Sequence, residues 1–60
     1  MKLREWRIKK GWSQEDLAKG LKTTQESVSY WETGSIMPRR EILQDIMELT
    51  NGKVTANDFM

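Results

Sequence analysis

The sixty residues contain no cysteine and no histidine, one proline and four glycines. Without cysteine there is neither a disulfide nor a thiolate site. Without histidine the usual Ser-His and Cys-His nucleophile pairs cannot be built, nor can any zinc site that needs an imidazole. Nine carboxylates remain as ligands for a hard cation, but no D-x-D-x-D-G loop gathers them. The expectation is a protein that is not an enzyme and holds no metal or other cofactor. No apolar run approaches the roughly eighteen residues that a membrane-spanning helix needs. The N-terminus is basic but lacks the apolar stretch of a secretory signal, so the expected location is cytoplasmic, with no membrane partner.

There is also no repeat, linker or low-complexity segment, and nothing that reads as a half built to sense a small-molecule ligand. Residues 1–60 are read as one domain. A chain of this size buries only about 60% of its unfolded surface, so its stability should be modest. Net charge is a mere +1, which gives no support by itself to a polyanionic partner. The distribution says more. Lys2, Arg4, Arg7, Lys9 and Lys10 stand against Glu5 alone in the first ten positions, leaving five basic and eight acidic residues for the other fifty. That asymmetry can focus a positive field on one edge. An ordinary solvated helix with surface lysines accounts for the same count.

What is present is helical patterning. Leu3 and Trp6 fall three apart in a first helix over 2–10, and Gly11 stops it. Trp12 packs from the loop. Ser13 begins a second helix with S-Q-E-D, a capping box in which Asp16 reaches back. Leu17, Ala18 and Leu21 form its apolar stripe, and short Ala18 permits a close helix crossing. Thr23 then offers a second capping box, T-T-Q-E, placing Thr24, Gln25 and Glu26 in the first turn of a third helix. Val28 and Trp31 face the core there, with Gln25, Glu26, Ser29 and Tyr30 largely off that face. Thr33-Gly34 ends the helix, and Pro38 fits the first position of the next one. Residues 39–50 form the fourth, with Leu43, Ile46 and Met47 as its core stripe and Ile42 and Leu49 flanking. Asn51-Gly52 breaks it, and Thr55 to Asp58 caps a final single turn that folds Val54 and Phe59 back.

The stretch from Gln14 to Gly34 resembles the helix-turn-helix of the Cro and repressor-type (Xre-like) DNA-binding domains of phages and bacteria. The match lies in Gln14, Ala18, Val28 and the closing W-E-x-G of Trp31 to Gly34. It implies an all-α fold: a compact four- to five-helix lambda-repressor-like domain with the helix-turn-helix at about residues 14–34. The implied partner is double-stranded DNA, bound as a homodimer. An antitoxin-like or accessory protein-interaction module of the same fold, touching DNA weakly, is the alternative.

Residue by residue, the resemblance makes Thr24, Gln25, Glu26, Ser29 and Tyr30 the base-reading set. The chemistry suits it: Gln pairs with adenine, Thr offers a methyl to thymine, Glu accepts from the cytosine amino group. Glu26 is equally explained as a capping residue repelled by phosphates. Ser13, Gln14, Ser27, Thr33, Ser35, Arg39 and Arg40 are the phosphate candidates, although Gln14 also reads as a plain helix former. In the resembled family an Arg at position 7 pairs with Glu32; Arg7 as a phosphate contact is the other reading. Val54, Phe59 and Met60 are either core or dimer contacts. One departure stands out. Lys22 falls where the family places a turn glycine, so either Lys22 adopts a left-handed conformation or the turn is reshaped nearer Gly20.

Overall fold

Each helix of this chain stops on a residue in the left-handed region, and those four stops fix where the next element begins. The computed structural model describes residues 1–59. The helices are α1 (Leu3–Lys10), α2 (Gln14–Gly20), α3 (Gln25–Thr33) and α4 (Arg40–Leu49), followed by a 3₁₀ turn at Ala56–Phe59. Among the described residues there is no strand. The left-handed stops are Gly11, Lys22, Gly34 and Asn51. After α2, the Lys22 N–H donates to the Lys19 carbonyl and the Thr23 N–H to the Ala18 carbonyl. This is the Schellman closure, which satisfies carbonyls that the helix end would otherwise orphan.

That closure decides the start of α3. Thr23 is spent on terminating α2, so Thr24, in extended conformation, becomes the N-cap. Its Oγ1 accepts from the Ser27 N–H at 3.2 Å. The expectation of Thr23 as cap and Thr24 in the first turn is therefore corrected by one residue. Lys22 does adopt the left-handed conformation, at φ 56°, and α2 closes without a glycine there. The S-Q-E-D box forms as read: Ser13 Oγ accepts from the Asp16 N–H at 3.1 Å, and the Ser13 N–H donates to Asp16 Oδ2 at 3.0 Å.

The core gathers one stripe from each helix: Leu3 and Trp6, Leu17, Ala18 and Leu21, Val28 and Trp31, and Ile46, joined by Val54. Leu17, Val28, Ile46 and Val54 are wholly inaccessible. Removing the side chain of such a residue costs about 2–5 kcal/mol, a large part of what a small domain has. Trp12 seals the α1–α2 corner with its ring edge-on to Trp6, centroids 5.3 Å apart. The most extensive helix pairing is α2 with α3, and Ala18 of α2 is buried in the core.

Three expectations are corrected here. In α4 the inward stripe is Ile42, Ile46 and Leu49, and Met47 is 41% exposed. Both stripes have helical period; Ile42 and Leu49 are the ones that pack against the core. Pro38 precedes the N-cap, which is Arg39. Val54 is core, not a dimer contact: its N–H donates to Thr50 Oγ1, which itself donates to the Ile46 carbonyl. Phe59 packs half-buried against the same core, and Met60 lies outside the described residues.

Candidate nucleic-acid interface

Helix α3 has two faces with opposite chemistry. Val28 and Trp31 point into the core, and the other side carries Gln25, Glu26 and Tyr30 in solvent with Ser29 half-covered between them. Tyr30 keeps 48% of its surface. Gln25 and Glu26 are the first two helical residues, so their side chains project at the free end of α3. The Thr24 hydroxyl is committed to the cap and also donates to Ser27 Oγ at 3.1 Å. Only its methyl is left to offer a base.

Behind this face runs a polar seam through three helices. Arg7 Nε donates to Glu32 Oε2 at 2.7 Å and Arg7 Nη2 to Oε1 at 3.1 Å. Arg7 Nη1 donates to the Trp12 carbonyl at 2.9 Å, so each guanidinium nitrogen has a partner. Gln14 Nε2 donates to Glu32 Oε1 at 3.1 Å. Gln25 Nε2 in turn donates to Gln14 Oε1, a long contact of 3.4 Å. The seam therefore runs from α1 through the end of α3 and the start of α2 to the first residue of α3. Glu32 is nearly inaccessible and Arg7 only 13% exposed, and no buried side-chain polar atom lacks a partner among the described residues.

Gln14 is the instructive member. An amide has two N–H donors; one is held by Glu32, leaving the other free for an anion. Its link to Glu32 across 18 positions depends on the helix crossing and leaves no mark in local spacing. Thr50, buried and fully bonded, is likewise invisible in the pattern.

Of the remaining phosphate candidates, Ser27 lies in the first turn of α3, and Thr33, Ser35, Arg39 and Arg40 follow along the α3–α4 connection. Thr33 Oγ1 donates to the Tyr30 carbonyl at 3.2 Å, and the Thr33 and Ser35 hydroxyl oxygens lie 3.1 Å apart. Arg39 and Arg40 are both exposed at the start of α4. Between them and Ser35 sit Ile36 and Met37, half-exposed and apolar. Ser13 is exposed, but its hydroxyl already accepts within the α2 cap. Two cap carboxyls, Asp16 and Asp58, are held below their ordinary 3.8. The chief cause is the N–H bond from Ser13 or Thr55, followed by the Ser13 side chain for Asp16 and the terminal ammonium for Asp58.

Among the described residues no carboxylate cluster is placed to hold a metal ion, and no helix is long and apolar enough to cross a membrane. The sequence model of the helix-turn-helix family matches residues 3–56. No curated protein and no solved structure matches the chain significantly. The family match covers all four helices and reaches the first residue of the 3₁₀ turn. The chain belongs to the Cro/Xre-type helix-turn-helix family and is a DNA-binding regulator with a lambda-repressor-like all-α fold.

Proposed function

We propose that this regulator reads a specific operator by laying the N-terminal half of α3 in the major groove, and that it does so as a homodimer on a two-fold related site. The observation that carries this reading is the exposed hydrogen-bonding end of α3, with Gln25, Glu26 and Tyr30 projecting from a helix whose other face is anchored in the core. Gln25 makes a bidentate pair with adenine, the pairing that amide geometry favours. Among the described residues the side chain's only partner is Gln14, through one long bond, so little is given up when a base replaces it. Glu26 accepts from a cytosine amino group, and Thr24 and Tyr30 supply apolar contact to thymine methyls. Ser29 borders the same face.

Gln14, Ser27, Thr33, Ser35 and Arg39 hold the sugar-phosphate backbone and set the docking register, which carries no sequence information itself. The half-sites then lie about 34 Å apart, one helical turn. The protein acts by occupancy alone, excluding polymerase from the promoter.

Selection of binding sites from a random duplex pool, with affinities compared at two salt concentrations, tests this. Phosphate contacts alone give binding that collapses with salt and has no consensus. A two-fold symmetric consensus that stays well above random DNA at both salts is the expected result. Recovery of no consensus removes the operator from the account.

A further inference from the structure

With Val54 locked in the core, the end of the chain offers a partner less than the sequence suggests; exposed apolar side chains remain at Ile8, Ile36 and Met37 and, on α4, at Met47. Met47 is exposed at 41%. Leu43, four residues earlier and on the same face, is half-covered, and among the described residues the partly buried apolar side chains packed against the core are Trp12, Ile42, Leu49 and Phe59. Beside this pair runs a second row at the same spacing of four: Arg40, Gln44 and Glu48, all exposed. Neither Arg40 nor Glu48 forms an ion pair among the described residues.

We propose that this face of α4 is the surface on which two copies of the chain pair, antiparallel about a two-fold axis. The proposal rests on the dimeric reading above and names the surface. A two-fold contact is isologous, so the patch must complement itself. This one does. With the axis passing near residue 45, Leu43 of one copy meets Met47 of the other. The flanking rows then run side by side in opposite directions, setting Arg40 against the partner's Glu48, the two Gln44 amides against each other, and Glu48 against the partner's Arg40. A parallel arrangement sets like charges together and is disfavoured. The pattern of an apolar seam with an oppositely charged flank is the one by which paired helices choose orientation. It also gives Met47 and Leu43 a partner that the monomer does not provide.

The test is sedimentation equilibrium of the full chain without DNA, carried to the millimolar range. Wild type should dimerise. Met47→Lys should weaken the dimer by about tenfold or more, since a central contact is lost and a charge is desolvated. Arg40→Glu and Glu48→Arg should each weaken it severalfold, and the double variant Arg40→Glu/Glu48→Arg should return close to wild type, because each pair is restored with its charges exchanged. Met47 and the two charges are outside the core, and far-UV circular dichroism checks that each variant is folded. A monomer at every concentration, a dimer indifferent to Met47→Lys, or a double variant no better than the singles each overturns the α4 surface. As no DNA is present, such a failure leaves the reading of α3 untouched, and failed site selection leaves this result untouched.

Discussion

Arg7 and Glu32 meet through two parallel N–H to oxygen bonds, 2.7 and 3.1 Å, across the gap between the first and third helices. The pair is almost dry and fully bonded: Glu32 also accepts from Gln14, and Arg7 also donates to the Trp12 carbonyl. Desolvation offsets much of the attraction in such a pair, so its presence is not a large net gain. Its loss from one side is another matter. Glu32→Ala leaves a guanidinium with two unpaired donors in a site that water reaches poorly, at about 3–5 kcal/mol. In a domain of this size that lowers the melting temperature by more than 10 °C, at roughly 4–8 °C per kcal/mol. Thermal unfolding followed by circular dichroism measures it, and a shift no larger than that of an exposed Glu41→Ala control would remove the pair from the stability account.

The same seam ends at Gln25, where it stops being structural. Gln25→Ala gives up one long hydrogen bond and no buried surface, so the fold should be unchanged. On the selected operator it should lose about 1–3 kcal/mol, and binding to random DNA should hardly move. The salt dependence should also stay as it is, because no phosphate contact is removed. Gln14→Ala should behave differently. It takes a donor from Glu32 and, on the proposed docking, from the backbone of the DNA, so it should lower stability slightly and weaken specific and random DNA alike. Equal losses for Gln25→Ala on both DNAs would mean that Gln25 holds phosphate and reads no base.

Much of the fold is legible in local chemistry. S-Q-E-D announces the start of α2, Gly11 and Gly34 mark helix ends, and Leu17, Ala18, Val28 and Trp31 have only one face on which to be buried. What escapes is whatever a neighbour decides. Thr23 and Thr24 are equally good caps on paper; the choice falls to Thr24 because the Thr23 N–H closes α2 on Ala18. In α4, Leu43 and Met47 keep the same period as Ile42, Ile46 and Leu49, and only the position of the other helices tells them apart. At the site, the types of residue at the start of α3 are readable, but their preorganisation through Gln14 is a product of the α2–α3 crossing.

Acid should loosen the two caps closed by aspartates. Asp16 and Asp58 have folded pKa values below the ordinary 3.8, chiefly because main-chain N–H groups of Ser13 and Thr55 bond the ionised form. The folded state therefore binds protons less readily than the unfolded one. The stabilisation is complete above the ordinary value and is lost as pH falls from there through the lower folded values. An Asp16→Asn/Asp58→Asn variant should melt below wild type near neutrality, with the gap closing as pH falls below 3.8 through the lowered folded values. Melting temperatures across that range decide it. A gap that persists in acid would mean the two side chains act through packing and not through charge.

Lys22 is where the turn between α2 and α3 stores strain. At φ 56° its Cβ crowds the following carbonyl, a cost of roughly 1–2 kcal/mol that glycine avoids. Glycine returns part of this through the greater freedom of the unfolded chain, about 0.4–1 kcal/mol. Lys22→Gly should then raise the melting temperature by about 2–6 °C. Lys22→Ala is the informative companion, since it removes the charge and keeps the strain. If strain is the cause, Ala should match wild type and Gly should exceed both. Were Ala and Gly to rise together, the gain would come from removing a lysine beside the helix turn, and the left-handed backbone would cost this protein nothing measurable.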